Sequence, residues 1–321
     1  MTFLASTAVA IVRMTDLFAI VMLAGIYSLL SASLFLNLDA VDVAFTEASV
    51  GAGISTLLML ASLKLVGREE KNKRYKPTLA LGIVMVTGAL LIYGTFDMPH
   101  FGSADAPVHN HVAPRYLNES MDEIGVPNIV TSILASYRGF DTLGEVLVIF
   151  TAGIGVMSLL LVRRETQDTA QQTAQPDMQQ QIILRVVAKI MLPLILMFAL
   201  YVQFHGDYGP GGGFQAGVIF AAGVILYTML FGLTNARRIF KRRILGLLAA
   251  TGVLIYAGVG VSCIIMGGNF LDYSVLSHDP VHGQHLGILL VELGVGITVA
   301  SVMITLFFKF TWRTVKHKYI A

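Results

Sequence analysis

The sequence predicts an all-α, polytopic membrane protein with about eight transmembrane helices and both termini in the cytoplasm. Three observations predict it. Of 321 residues, 55% are hydrophobic and only 13% charged, with a mean hydropathy of +0.72, whereas soluble domains carry about 25% charged residues. Eight stretches reach the roughly 20 apolar residues that a bilayer core requires. Lys and Arg fall almost entirely on one side if eight helices alternate, which is the asymmetry that orients membrane proteins. Backbone groups in lipid must be paired within the segment, so the spans are helices, and the short alternating strands of a barrel are not seen.

The first span is expected over about 15–36, behind Arg13. The opening MTFLASTAVAIVRMTDLF lacks an early basic region and a convincing cleavage site, so it does not read as a removed signal peptide. Asp16 lies one turn from Arg13 and is expected to pair with it. The second span, about 42–66, ends at an inner cluster of Lys64, Arg68, Lys71, Lys73, Arg74 and Lys76, and the third covers about 77–97. Residues 98–127 have no apolar period and form an extracytoplasmic loop. NIVTSILASYRGFDTLGE (128–145) reads as a short amphipathic helix at the outer interface, feeding a fourth span over about 140–162. RRETQDTAQQTAQPDMQQQ (163–181) is polar and Gln-rich, a cytoplasmic linker between two four-span halves.

The remaining spans are expected at about 182–204, 214–234, 243–268 and 286–308. Arg237, Arg238, Lys241, Arg242 and Arg243, then Lys309, Arg313, Lys316 and Lys318, again fall inside. Only Arg115 and Arg138 fall opposite, and Lys189 lies within a span. No internal repeat relates the halves. The organisation is therefore a three-span module (1–97), the outer loop (98–127), an amphipathic helix with one span (128–162), the linker (163–181) and a four-span module (182–321).

An ionisable residue at membrane depth is costly and points to function. Glu47, Glu145 and Glu292 each lie about four to seven residues inside the outer edge of a span, roughly 6–10 Å deep at 1.5 Å per residue. Three carboxylates at one depth suggest stepping stones for protons or small cations; the alternative is that each bonds a neighbouring helix or reaches back to the surface. Lys189 is a candidate proton carrier or a snorkelling side chain. Pro193, one turn later, kinks that helix.

Other chemistry is sparse. Cys263 is the sole cysteine, so neither a disulfide framework nor a thiolate cluster is available. His278, His282 and His285 would share one face if helical, as a metal site wants, but DPVHG reads as turn chemistry in an outer loop. His109 and His111 are weaker still. Facing mid-span histidines for haem are missing, so no cofactor or metal is expected, and no nucleic-acid partner. FHGDYGPGGGFQAG (204–217) lacks the GK[ST] of a phosphate loop and follows a membrane helix instead of a strand. Pro210 ends the approach, and Gly211, Gly212 and Gly213 permit close backbone contact. His205 and Asp207 flank the turn, which is either a re-entrant packing feature or part of an ion entrance.

FHGDYGPGGGFQAG together with VELGVGITVASVMITLFF resembles the B-type subunit of the Mrp-type multisubunit Na⁺/H⁺ antiporters, and its counterpart in membrane-bound hydrogenases. Asp207 stands where the family's G-H-x-x-P-G-G-G-F pattern has His. DVAFTEASVGAGISTLL and NIVTSILASYRGFDTLGEVLVIFTAGIGV resemble two small membrane segments that usually end the large A-type chain of these antiporters. The resemblance implies a fused, non-redox membrane subunit, not an enzyme, moving protons and Na⁺ or another monovalent cation across a bacterial inner membrane. Its implied partners are large A- and D-type and small C-, E-, F- and G-type subunits, with lipid around them. It implies that Glu47 and Glu145 lie on the ion path, that Asp141 sets the outer start of its helix, and that Gly51, Gly53, Gly153, Gly155, Gly294 and Gly296 let helices approach. The alternatives are the membrane arm of a redox-driven pump and a non-conducting scaffold.

Overall fold

A computed structural model describes residues 1–70, 77–160 and 182–317. The linker at 163–181, the cations Lys71, Lys73, Arg74 and Lys76, and Lys318 lie outside the described residues. What is described is helical, with eight helices long and apolar enough to cross a membrane. This is a multi-pass membrane protein.

α1 (Thr2–Arg13) is a short apolar helix ahead of the first span. α2 (Leu17–Asn37) follows, and its start corrects the expected Arg13–Asp16 pair. Asp16 instead caps α2, accepting from the Phe18 and Ala19 N–H groups at 2.8 and 3.3 Å, and pairs with Arg68 at 3.3 Å. A capping carboxylate satisfies donors that the helix itself cannot. α3 (Val41–Glu47) runs through a π-helical stretch (Ala48–Ser55) into α4 (Thr56–Val66), making the second span. α5 (Pro77–Thr95) is the third, and none of its span is buried within the chain.

The 98–127 loop contains helix after all, in short pieces: α6 (Pro107–Asn110), α7 (Val112–Asn118) and α8 (Ser120–Glu123). The predicted amphipathic helix is also broken. α9 (Ile129–Thr131) leads into a π turn (Ser132–Tyr137), Arg138 departs from helical geometry, and α10 (Gly139–Leu159) begins the fourth span. This segment is packed in, with Thr131, Ser132 and Ala135 buried. The break frees carbonyls that need partners. Tyr273 donates to Ala135 O at 3.0 Å, Tyr256 to Gly139 O at 2.7 Å, and Thr142 to Leu134 O at 2.7 Å.

The second half comprises α11 (Ile182–His205), α12 (Gly213–Phe231), α13 (Leu233–Ile239), α14 (Arg242–Ile265), a 3₁₀ turn (Tyr273–Leu276) and α15 (Pro280–His317). α15 starts six residues before the predicted edge at about 286. Asp279 accepts the Val281 N–H at 3.2 Å and Pro280 takes the first helical position. An Asp cap followed by Pro is helix-start chemistry, so the reading of DPVHG as a loop turn is corrected. The core lies in this half: more than half of the α12 and α15 spans is buried, 56% and 61%. Glycine lets these helices meet at backbone distance. A Cβ on Gly213 would stand 2.0 Å from Glu292 O, and one on Gly252 2.4 Å from Gly294 O. Gly296 and Gly153 also sit at close contacts, whereas Gly53 and Gly155 meet no other helix.

Candidate functional site

α11 ends at His205, and the chain must reverse before α12 begins at Gly213. Gly212 takes φ +120°, a conformation open in practice to glycine alone. Its N–H donates to Val202 O at 3.1 Å, closing the turn. Asn128 clamps the same turn from outside, its side-chain amide donating to Gly206 O at 3.0 Å and Gly209 O at 2.9 Å. Thr131 adds a bond to Gly206 O at 2.7 Å. The short α9 segment therefore holds the glycine turn in place.

The turn is also a wall. A cavity of about 240 Å³ is lined by Asp42, Thr46, Thr142, Glu145, Gly211, Gly212, Gly213, Gln215, Tyr256 and Glu292, with apolar side chains between them. Six elements supply the polar groups: α3, α9 through Thr131, α10, the turn with the start of α12, α14 and α15. Asp42 accepts the Gly211 N–H at 3.0 Å, and Gln215 donates to Thr46 Oγ1 at 2.9 Å. Glu292 presses its carboxylate against the glycines: Oε1 lies 3.1 Å from where a Cβ on Gly212 would stand, and Oε2 3.2 Å from that point on Gly206. A side chain at either glycine would displace the carboxylate. Because α12 starts here, the positive end of its dipole faces the acids.

Three carboxylates thus converge on one cavity. Among the described residues, none of them is ion-paired to Lys or Arg. Uncompensated carboxylates away from bulk water attract a proton or a small cation. The cavity is not closed within the chain, since the Glu145 side chain is also exposed on the outside of α10.

The predicted residues divide. Glu145 and Glu292 line the cavity together with the turn residues Gly211, Gly212 and Gly213, while Pro210 is exposed beside it. Glu47 does not line it: its Oε1 lies 2.6 Å from a Cβ position on Gly51, on the side where Ser28 of α2 approaches. Asp141 is bound to Arg138 at 2.6 Å at the exposed start of α10. Lys189 lies on the exposed face of α11. His205 stacks on Tyr201 with ring centroids 4.8 Å apart. Asp207 lies 3.6 Å from His285 Nδ1, while His282 pairs with Asp279 at 3.0 Å.

Asp42, Thr46 and Gln215 are the residues that sequence reasoning missed. Asp42 and Thr46 stand four apart on a helix and so share a face, a signal present in DVAFT. An acid at a helix start is ordinary first-turn chemistry and carries by itself no mark of function.

Comparison with known proteins adds three family matches in succession. Residues 2–68 match the MbhD family, the D-type subunit of MBH, and residues 79–180 match the MbhE family, its E-type subunit. Residues 183–305 match the domain related to the MnhB subunit of Na⁺/H⁺ antiporter. A "Putative antiporter subunit mnhB2" of Staphylococcus haemolyticus is 34% identical over 132 residues, 39% of this chain and 90% of the relative. The A/B-type subunit of a "Probable K(+)/H(+) antiporter" of Rhizobium meliloti is 27% identical over 309 residues, 86% of this chain and 30% of the relative. A chain in the structure of the Mrp complex from Dietzia sp. superposes with a TM-score of 0.77 at 26% identity, over 97% of this chain and 34% of that one. The chain therefore spans about a third of the length of these two larger proteins.

Proposed function

Since this chain belongs to the family built on a domain related to the MnhB subunit of Na⁺/H⁺ antiporters, we propose that it is a membrane subunit of a multisubunit monovalent cation/proton antiporter. In this reading Asp42, Glu145 and Glu292 form part of the ion path. The observation that carries it is their convergence on one cavity without a basic partner among the described residues. Carboxylates in such a place exchange one bound cation for another. A site occupied by a proton does not hold Na⁺, so uptake of one favours release of the other. No bond is made or broken in a substrate, and the chain acts as a transporter subunit, not an enzyme.

Glu145 argues for partners. It lines the cavity and also faces outward from a transmembrane helix, where an unpartnered charge in lipid would cost several kcal/mol, ~3 on insertion scales. A neighbouring subunit that covers α10 would close the cavity and supply the continuation of the path. We assign that neighbour to the large A- and D-type subunits, with small C-, E-, F- and G-type subunits completing the complex. α5, unburied along its length, offers a second face for subunits or lipid. Glu47, Asp141, Lys189 and His205 stand outside the cavity and join the path only where partners extend it. The charge distribution supports both termini in the cytoplasm, and we place the complex in a bacterial inner membrane.

The matches to the MbhD and MbhE families favour a second reading, in which a redox module drives the same path. Neighbouring iron–sulfur or nickel–iron subunits would distinguish it. The test of the first reading is cation-dependent decay of an imposed pH gradient in inside-out vesicles carrying the whole complex, with Na⁺ and K⁺ compared. Glu292→Gln and Glu145→Gln should assemble and lose the decay. Unchanged decay in both assembled variants would falsify a conducting role for this chain.

A further inference from the structure

Two turns before Glu292, outside the cavity lining, α15 carries an imidazole that the ion path as described above does not use. His285 and Glu292 are seven residues apart on one continuous helix, so they share a face two turns apart, about 10 Å along the axis. The glycine turn lies against that interval, starting and ending at Glu292 and reaching His285 through Asp207. Near its beginning, Asp207 Oδ2 lies 3.6 Å from His285 Nδ1. Its two ends, Gly206 and Gly212, cradle the Glu292 carboxylate. Both members of the upper pair are partly open to solution, with side-chain exposures of 34% for His285 and 22% for Asp207.

The hydrogen bonding decides which nitrogen does the chemistry. His285 Nε2 lies 3.1 Å from Gly125 O, and a carbonyl can only accept. Nε2 therefore keeps its hydrogen, and Nδ1, facing Asp207, is the nitrogen that gains and loses a proton. We propose that His285 and Asp207 form the proton-loading station of the cavity, taking protons from solution and delivering them to Glu292. This rests on the reading of Glu292 as part of the ion path.

The step balances. A proton from water binds Nδ1 and gives imidazolium. Transfer to Asp207 returns neutral imidazole and leaves a protonated carboxyl. Asp207 then passes the proton to the Glu292 carboxylate and is again an anion, ready to reload. An imidazole suits the first position because it both takes up and gives up a proton readily at one nitrogen while the other holds its bond. The clamp of Asn128 and Thr131 holds the turn, and Asn128 N–H also binds Asp207 O at 2.9 Å, so the acid is positioned before a proton arrives. Other charges around the pair are already engaged or lie further off. Glu123 on the adjoining loop is held by Arg115 and Tyr137, His282 pairs with Asp279, His205 stacks on Tyr201, and Asp42 binds the Gly211 N–H.

The test is the pH profile of cation-driven proton movement in inside-out vesicles containing the whole assembled complex. His285→Gln keeps a donor for Gly125 and cannot titrate; Asp207→Asn removes the acceptor. Each should slow turnover near neutral pH by about 10-fold and abolish the imidazole limb, leaving the apparent cation KM unchanged. This falls short of the roughly 100-fold typical for removal of a general acid–base, because water reaches a partly exposed site. The double variant should be no slower than the slower single one, as for two members of one relay. His282→Gln, whose side chain is 77% exposed, is the control and should match wild type. If His285→Gln fails to assemble, Asp207→Asn alone decides through its pH profile. Wild-type profiles in both variants, with Glu292→Gln inactive, overturn the loading station and leave the path standing. An active Glu292→Gln complex overturns the path as well.

Discussion

Asp42 Oδ1 accepts the backbone N–H of Gly211 at 3.0 Å across 169 residues of sequence. This bond ties the first half of the chain to the glycine turn of the second, and it sets a carboxylate in the cavity. A hydrogen bond to a charged group contributes about 1.5–3 kcal/mol. Asp42→Asn keeps an acceptor and removes the charge, so the complex should assemble but move protons more slowly. Asp42→Ala removes both, and the yield of assembled complex should fall. Native gels combined with vesicle assays separate the two effects. Equal losses in both variants would mean that the charge, not the bond, matters.

Gly213 permits the approach of α12 to α15. A methyl there would stand 2.0 Å from Glu292 O, a backbone atom that cannot swing aside. Overpacking of this kind costs about 1–3 kcal/mol and occasionally more. Gly213→Ala should lower the melting temperature of the purified complex and reduce transport through the shifted Glu292. Gly258→Ala meets nothing within 4 Å in the chain. It should be neutral or slightly stabilising, because alanine favours helix.

These two residues show how far the sequence could be read. The spans were legible because long apolar runs separated by basic clusters leave little choice of helix ends, and the observed edges fall within a few residues of those expected, except in α15, which extends beyond both expected ends. The glycine turn and Glu292 were each visible as oddities. That they touch was not, since nothing in one dimension says which turn an acid on α15 will meet. The helical setting of His285 was hidden for a different reason. Asp279-Pro280 is both turn chemistry and a helix cap, and only the packing of Val281 and His285 against Gly125 selects the cap. The break at Arg138 escaped because its stabilisers, Tyr256 and Tyr273, lie more than a hundred residues away.

Glu145 and Glu47 offer a paired comparison. They looked alike in sequence, yet Glu145 lines the cavity and Glu47 folds beside Gly51 toward α2. Glu145→Gln should therefore reduce cation-driven proton movement by about 100-fold or more, in the range of a lost proton-transfer group. Glu47→Gln should have the smaller effect. Rates normalised to assembled complex make the comparison. A reversed order would move the path to the α2–α3 side.

The loop ahead of α9 carries its own pH dependence. Arg115 reaches Glu123 at 2.8 Å, and the Tyr137 hydroxyl donates to the same carboxylate. The Arg115 bond, then that from Tyr137, holds the Glu123 carboxyl below the usual carboxylate range. Burial, then Glu123, pushes the Tyr137 hydroxyl up to about 12. A carboxyl whose folded pKa is depressed stabilises the fold above its unfolded value, and that contribution is lost as pH falls through the folded value. The loop should therefore be equally protected at neutral and mildly acidic pH, and loosen below the ordinary Glu range of about 4.3. Hydrogen exchange over 112–137, corrected for intrinsic rate, reads this directly. Glu123→Gln should show the loosened pattern already at neutral pH and lose the acid transition. Because Asn128 and Thr131 clamp the glycine turn from this same segment, the variant should also slow transport slightly without changing which cation is carried. A loop that exchanges identically with and without Glu123 would place its order in the packing of Ile124 and Val126 instead.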